Sequence, residues 1–373
     1  MIQIARCLLA LCLVPTWLGL AWAAPPVARF PGETWGHVDP AQAGWSTDLL
    51  AKAKAWSQMI ESSAVMIIQH GVVVAEWGNT EKRTGLASVR KSFLSALIGN
   101  AVSRGQIELS SQIGKLGIDD NAPSLTAEEK TATVKDLLEA RSGIYHAALY
   151  ESPVMAAGRP VRGSHPPGTF WYYNNWDFNA LGAIYLHATG SSVFDALDRE
   201  IAKPIGMQDY RPSDGQYFTG PDSVYPAYPI LMSARDLARF ALLYLHDGRW
   251  KDRQIVPTDW VHASTQPYSV SDFGPGYGYL WWTGFLKPEN PMTPVRLPAG
   301  SFFAWGNGGQ YAFVMPAADM VVVHRVDRSI PHFHPVNLTQ VGRLLWLVLA
   351  AAHQPDIGPD PSLHAVKGST APR

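Results

Sequence analysis

The stretch "ASVRKSFLSALIG", residues 87–99, contains a serine and a lysine three positions apart, Ser88 and Lys91. Residues i and i+3 lie on one face of a helix, so the lysine amine can reach the serine hydroxyl. A serine becomes nucleophilic when a base removes its proton, and lysine acts as that base where burial or a neighbouring cation lowers its pKa. The pattern indicates a catalytic pair. Its alternative is an ordinary Ser and Lys on a helix surface, because chance alone supplies such pairs.

The segments around this stretch predict a sheet built from distant parts of the chain. Residues 64–69 and 72–78 are β-branched runs joined by His70-Gly71, which indicates a β-hairpin. Three further strand-like runs lie near the other end, at 301–307, 310–316 and 319–327. Helical patterns cover 46–62, 88–104, 233–248 and 335–353. We expect an α+β fold in which the two chain ends form an antiparallel sheet, flanked by helices and carrying a large, mainly helical insertion.

The same patterns predict how the chain is divided. Residues 1–23 are predicted to be a signal peptide and 24–355 to be one domain. The α/β part of that domain is expected at about 40–90 and 296–355, and the helical part at about 91–295. The proline-rich segment 356–373 is predicted to be a disordered tail.

Two further motifs supply groups for chemistry. Tyr173-Asn174-Asn175 precedes an apolar helical run; its phenol could relay a proton, and the Asn175 amide could orient a substrate carbonyl or Lys91. Gly306-Asn307-Gly308-Gly309 lies between two predicted strands, where glycines allow a backbone N–H to approach a developing oxyanion. Taken alone, the first motif could be a packed aromatic loop and the second a plain glycine turn.

The order and spacing of the three motifs resemble the penicillin-recognising serine hydrolases. The nearest branch looks like class C β-lactamases, family VIII carboxylesterases and 6-aminohexanoate-dimer hydrolases, over roughly residues 40–350. The resemblance implies a β-lactamase/transpeptidase-like fold and an acyl-enzyme mechanism. It makes Ser88 the nucleophile, Lys91 its general base and Tyr173 a proton carrier. It also implies that Asn175 contacts the substrate and that the Ser88 and Gly309 N–H groups form the oxyanion hole.

The third motif departs from the family pattern. Penicillin-binding enzymes usually carry Lys-[Ser/Thr]-Gly or His-x-Gly there, whereas this chain has Gly306-Asn307-Gly308. Without that cation an anionic substrate loses a charge-assisted contact worth roughly 1.5–3 kcal/mol. The sequence therefore favours neutral or apolar esters or amides. Asn307, Tyr145 and Trp305 are the further residues expected to contact the substrate, although each aromatic ring could equally belong to the core.

The charge, the N-terminal segment and the cysteines indicate which partners and which cellular location to expect. The net charge is −1 and no basic run stands out, which excludes a nucleic-acid partner. An apolar run ending in Ala21-Trp22-Ala23 predicts a cleaved signal, and hence a periplasmic or secreted bacterial protein with no stable membrane insertion after cleavage. Both cysteines, Cys7 and Cys12, lie in that segment, so the mature protein is expected to lack a disulfide and a cysteine-bound metal. No cofactor or metal is expected, and the sequence does not indicate the oligomeric state.

Three functions fit these features. The leading hypothesis is an exported serine hydrolase that cleaves small-molecule esters, amides or short peptides. The first alternative is a β-lactamase, a D-Ala carboxypeptidase or a D-aminopeptidase. The second is a penicillin-binding-like receptor that keeps the fold without turnover.

Overall fold

The computed structural model describes residues 30–271, 274–285 and 295–360. The predicted signal peptide, residues 1–23, lies outside the described residues. Residues 361–373 of the predicted tail do as well.

Helices and strands occur along the whole described part of the chain. The helices are α1 (Thr47–Met59), α2 (Arg90–Ser103), α3 (Val134–Leu138), α4 (Pro153–Ala157), α5 (Asn175–Thr189), α6 (Val193–Leu197), α7 (Ala234–Leu245), α8 (Thr258–Ser264) and α9 (Leu338–Ala351). The strands are β1 (Ala64–Gln69), β2 (Val72–Gly78), β3 (Thr84–Gly85), β4 (Phe218–Gly220), β5 (Ser223–Ala227), β6 (Leu231–Met232), β7 (Arg249–Trp250), β8 (Arg253–Gln254), β9 (Ser269–Val270), β10 (Pro275–Tyr277), β11 (Trp282–Phe285), β12 (Phe302–Gly306), β13 (Gln310–Met315) and β14 (Met320–Arg325).

The main sheet joins the two ends of the described chain. Its order is β2-β1-β14-β13-β12-β11-β10-β9, and every neighbouring pair is antiparallel. Ala64 of β1 pairs with Arg325 of β14, and the register continues to Gln69 and Met320. Every residue of β13 and β14 is buried, so both faces of the sheet are covered there. The α+β fold with an antiparallel sheet made by the chain ends is confirmed.

The sheet extends further than the sequence pattern predicted. Strands β9, β10 and β11 continue it beyond β12, although residues 91–295 were expected to be the mainly helical part. These strands are two to four residues long, β10 contains proline and glycine, and β11 contains glycine, so they show too little alternation to be recognised as strands. Three two-stranded sheets separate from the main sheet also occur in the described residues; they pair β3 with β6, β4 with β5 and β7 with β8, and all of these strands except β3 lie within 91–295.

Side-chain caps fix the long helices where the sequence placed them. Ser46 accepts a hydrogen bond from the Leu49 N–H at the start of α1, and Ser233 accepts one from the Asp236 N–H at the start of α7. Helix α7 packs on β1, β13 and β14, while α1 packs on α9. The helices therefore hold the sheet that carries the third motif.

The end of the domain differs from the prediction. The disordered tail was expected to begin at residue 356, but the chain still makes hydrogen bonds there. The Trp346 indole donates to the Gly358 carbonyl, and the Arg296 N–H donates to the Ile357 carbonyl. The packed chain therefore continues for a few residues past the predicted boundary. Among the described residues, no helix is long and apolar enough to cross a membrane.

Candidate active site

Ser88 lies in a tight turn that leads into helix α2. The turn is a 3₁₀ segment, Ala87–Val89, and Ala87 has a φ of +48°, in the left-handed region that non-glycine residues seldom adopt. A Cβ on Gly306 of β12 would lie 2.4 Å from the Leu86 carbonyl oxygen, so only glycine permits this close approach. Strand β12 thus packs directly against the turn that presents Ser88.

Lys91 lies one turn further along and contacts three groups. Its Nζ lies 2.9 Å from Ser88 Oγ, 2.6 Å from Tyr173 Oη and 2.8 Å from Asn175 Oδ1. The lysine side chain is only 2% exposed. The structure therefore brings together the four residues that the sequence analysis singled out on two separate motifs.

The surroundings of Lys91 favour its neutral form. Burial lowers its pKa well below the ordinary lysine value, and the positive charge of Arg90 lowers it further. A neutral amine has two N–H groups and one lone pair. It can donate to Asn175 and Tyr173 while accepting the hydroxyl proton of Ser88, which is the arrangement a general base needs.

Asn175 is held in one orientation by the loop beside it. Its Nδ2 donates to the Tyr150 carbonyl at 2.5 Å and more distantly to the Leu149 carbonyl, which leaves Oδ1 to face Lys91. The side chain is 3% exposed. These contacts orient the lysine; the predicted contact of Asn175 with substrate stays a prediction.

Tyr173 is a protonated phenol at neutral pH. Burial raises its pKa to about 12, although a hydrogen bond with Ser88 and the charge of Arg90 act in the opposite direction. Its hydroxyl therefore has a proton to donate next to the Ser88–Lys91 pair. The ring stacks on Trp282 with centroids 5.5 Å apart and contacts Phe178 at 4.9 Å.

An aromatic wall continues from Tyr173 towards the third motif. Trp282 contacts Trp305, with centroids 5.0 Å apart, and Tyr277 meets both Tyr173 and Trp282 edge to face. Trp305, predicted at the pocket, is part of this wall. Tyr145 is not: its hydroxyl lies 3.1 Å from His165 Nδ1, and no contact with the Ser88 cluster occurs among its described interactions.

The glycine motif forms the turn between β12 and β13. Asn307 is exposed there. Gly309 has a φ of +104°, and a Cβ on it would meet Val326 and Val336. Its carbonyl accepts a hydrogen bond from His324. The roles of Gly309 as an oxyanion donor and of Asn307 at the substrate stay predictions.

Within the described ranges, no group of three or more His, Cys, Asp or Glu side chains is arranged to hold a metal ion.

A cavity of about 160 Å³ lies apart from the Ser88 cluster and is lined by residues including Ile107, Leu116 and His187. None of the residues of the Ser88 cluster lines it.

The family model described as Beta-lactamase matches residues 47–340 of the 373-residue chain, which includes the whole cluster. The chain belongs to the Beta-lactamase family. An uncharacterized protein of Alkalihalophilus pseudofirmus is 24% identical over 307 residues, which cover 74% of this family member and 87% of the relative. Esterase EstB of Burkholderia gladioli is 23% identical over 285 residues, which cover 69% of this chain and 60% of that esterase.

Solved structures place this Beta-lactamase family member in the expected fold. A putative 6-aminohexanoate-dimer hydrolase from Bacillus anthracis superposes with a TM-score of 0.60 at 20% identity, covering 89% of this chain and 90% of that one. The predicted resemblance to the β-lactamase and penicillin-binding hydrolases is confirmed. The family and these relatives together support a hydrolase.

Sequence reasoning missed several residues that shape the site of this Beta-lactamase family protein. Phe178 and Tyr277 enclose Tyr173, and the Tyr150 carbonyl holds Asn175. Arg90 is buried beside Lys91. One feature of the sequence indicates the burial of Arg90: it lies just before the mainly apolar run 92–99.

Proposed function

We propose that this protein is a serine hydrolase that cleaves ester or amide bonds of small neutral or apolar substrates through an acyl-enzyme on Ser88. The observation that carries the proposal is the buried Lys91 amine, which bridges Ser88, Tyr173 and Asn175 at 2.6–2.9 Å. A merely structural lysine at this depth would be expected to pair with an acidic group. Among the described residues, the hydrogen bonds of Lys91 go to a hydroxyl, a phenol and an amide oxygen instead, and no acidic group pairs with it.

The proposed acylation begins with proton transfer from Ser88 Oγ to Lys91 Nζ as the oxygen attacks the substrate carbonyl carbon. The developing oxyanion lies near the N-terminus of α2, where free backbone N–H groups and the helix dipole stabilise negative charge. The bond to the leaving group then breaks. Tyr173 gives its phenolic proton to the departing oxygen or nitrogen and recovers one from Lys91.

Deacylation uses the same groups in reverse. A water molecule attacks the acyl carbon, and its proton passes through Tyr173 to Lys91. The bond between the acyl carbon and Ser88 Oγ then breaks, and Lys91 returns a proton to the serine oxygen. The carboxylic acid product leaves with the water oxygen, and the three side chains regain their starting protonation states.

Two observations support a neutral or apolar substrate. The third motif lacks the lysine or histidine that grips a carboxylate, and Trp282 and Trp305 form an aromatic wall next to Tyr173. Esterase EstB carries an activity of the proposed class in its name. The acyl group is proposed to lie against this wall, because apolar groups bind in aromatic-lined pockets.

One cation does lie beside the third motif, and it provides a test of the substrate preference. The side chain of the exposed Arg328 passes Gly308, where a Cβ would meet its Cδ at 2.8 Å, and its guanidinium lies 5.6 Å from the Phe333 ring centroid. Arg328→Gln should leave the turnover of a neutral ester within about twofold. A substrate preference for carboxylates that disappears in Arg328→Gln would contradict the proposal and favour the β-lactamase or carboxypeptidase alternative.

The deciding experiment compares the wild type with Ser88→Ala on p-nitrophenyl butyrate, with intact-mass detection of a butyryl adduct. Ser103→Ala is the matched control, because Ser103 lies on the same helix but bonds only to the Asn100 carbonyl. We expect an adduct and turnover in the wild type and Ser103→Ala, and neither in Ser88→Ala. Turnover in Ser88→Ala would exclude the covalent mechanism. Absence of any adduct on esters, peptides and β-lactams would favour the receptor alternative.

We also propose export to the periplasm or the medium. The proposal rests on the short apolar run followed by Ala21-Trp22-Ala23 in the sequence. The intact mass of the protein recovered outside the cytoplasm should correspond to a chain that begins at Ala24. Full-length protein confined to the cytoplasm would contradict it.

A further inference from the structure

Arg90 is a buried guanidinium that has no carboxylate partner. The residue is 2% exposed, and its Nη1 donates to the Ala87 carbonyl at 3.0 Å. Its Nε and Nη2 are buried and have no hydrogen-bond partner in the part of the chain that the structure describes. No acidic side chain forms an ion pair with it among the described residues, which is unusual because buried charges are normally paired.

Aromatic faces surround the guanidinium instead. Its Cζ lies 4.8 Å from the ring centroid of Tyr228 and 5.9 Å from that of Tyr150. Aromatic faces attract a cation but carry no net charge. The positive charge of Arg90 therefore acts on its surroundings without being neutralised.

Arg90 and Lys91 both reach the turn that carries Ser88, since Arg90 Nη1 lies 3.0 Å from the Ala87 carbonyl oxygen and Lys91 Nζ lies 2.9 Å from Ser88 Oγ. The ionisable groups near Arg90 and Tyr173 do not offset the arginine charge. Tyr173, Tyr228 and Tyr277 are phenols whose pKa values are raised by burial, so they are neutral at physiological pH. Asp177 on α5 is fully buried, accepts a hydrogen bond from Ser142, and has its pKa raised well above the ordinary value by burial. Burial thus favours the neutral form of the carboxyl nearest the cluster on that helix.

We propose that Arg90 is a positioning residue that keeps Lys91 in its neutral, proton-accepting form by placing an uncompensated positive charge beside it. A second positive charge on the adjacent ammonium would be repelled in this poorly solvated region. The hydrogen bond to Ala87 serves the same site, because it holds the turn that carries Ser88. This inference rests on the proposed function, in which Lys91 accepts the serine proton.

Within the described chain, the charge of Arg90 forms no ion pair that its replacement would break, and its contacts with Tyr228 and Tyr150 are cation–π contacts. Replacing a buried ion pair by apolar residues of similar size is often neutral or stabilising, and replacing Arg90 leaves no buried partner charge behind. Arg90→Met should therefore fold, as should Arg90→Gln, which can still donate to the Ala87 carbonyl. Failure of both neutral variants to fold would overturn the proposal, since the charge would then be needed for the fold.

The test is the pH dependence of Ser88 acylation, measured as kcat/KM for p-nitrophenyl butyrate and as the rate of fluorophosphonate labelling. Arg90→Met and Arg90→Gln should move the acidic midpoint upward by about one pH unit, the scale of the effect of one neighbouring charge. Arg90→Lys keeps the charge, so its midpoint should stay within about 0.3 of the wild type, a small fraction of that effect. A lower rate with an unmoved midpoint in the neutral variants would overturn the proposal and leave Arg90 with the hydrogen bond alone.

Failure of the proposed function gives a different result. If another residue is the nucleophile, labelling and turnover persist in Ser88→Ala, and if the protein is a receptor without turnover, the wild type shows neither, whatever happens at Arg90. If only this inference fails, the wild type still acylates Ser88, and the midpoints of all three Arg90 variants coincide with its own.

Discussion

The contact between Gly306 and the Ser88 turn gives the sharpest prediction. A Cβ at residue 306 would lie 2.4 Å from the Leu86 carbonyl oxygen, whereas ordinary contact begins at 3.4 Å. The difference is 3.4 − 2.4, or 1.0 Å, and the obstructing atom is backbone. Gly306→Ala must therefore separate β12 from the turn by about that distance. A displacement of this size at a reacting group can lower the rate by about 10²-fold.

The assay is the second-order rate of fluorophosphonate labelling at Ser88, together with kcat/KM for p-nitrophenyl butyrate. We expect both to fall by about 10²-fold in Gly306→Ala, since either needs the serine oxygen in place. Gly85→Ala is the matched control: residue 85 lies three positions before Ser88, and a Cβ there would meet nothing within 4 Å. Gly85 also lacks a positive φ, so alanine introduces no backbone strain.

The thermal unfolding midpoints of Gly306→Ala and Gly85→Ala show whether a lost rate comes from displacement of the Ser88 turn or from a less stable fold. If Gly306→Ala acylates within threefold of the wild type, β12 does not hold the turn, and the reasoning from this contact is refuted. Equal losses in Gly85→Ala and Gly306→Ala would refute it as well.

Three other predictions concern proton transfer, stability and the aromatic wall. Tyr173→Phe should lower kcat by roughly 10²–10⁴-fold, the range for general acid–base groups, without weakening the fold; single-turnover kinetics within tenfold of the wild type would be inconsistent with a relay. Asp236→Ala should lower the free energy of unfolding in urea by about 3 kcal/mol, because Asp236 accepts the backbone N–H groups of Gln208, Asp209 and Tyr210 and each lost bond costs about 1 kcal/mol. An unchanged urea midpoint would contradict this. Trp305→Ala should lower the ratio of kcat/KM for p-nitrophenyl butyrate to that for p-nitrophenyl acetate by roughly 10-fold, the scale of one lost methylene contact. An unaltered ratio would show that Trp305 does not contact the acyl group.

The parts of the fold that sequence predicted are those with strong periodicity or explicit caps. Half of the residues in strands β1 and β14 are β-branched, and Ser46 and Ser233 mark helix starts with their side chains. Strands β9 to β11 escaped prediction because their pairing depends on neighbouring strands rather than on their own pattern.

The sequence predicted those residues of the candidate site that belong to short local motifs. Ser88, Lys91, Tyr173 and Asn175 could be named because each falls in a recognisable local pattern. Arg90 could not, because an arginine at a helix start is usually solvated, and its burial depends on Tyr150 and Tyr228 from distant segments. The contact of Tyr145 with substrate stays a prediction, because its described contacts are with His165 and Tyr172 rather than with the Ser88 cluster.

The pairing of β1 with β14 has a consequence for how the protein is made. The register joins Ala64 to Arg325, so this strand pair cannot form until nearly the whole polypeptide has left the ribosome. Contacts of such high sequence separation slow folding, because a long loop must close before they form. A chain that stops before β14 leaves β1 as an unpaired hydrophobic edge, which is a template for aggregation. We therefore expect C-terminal truncations to be insoluble even though Ser88, Lys91 and Tyr173 all lie far upstream.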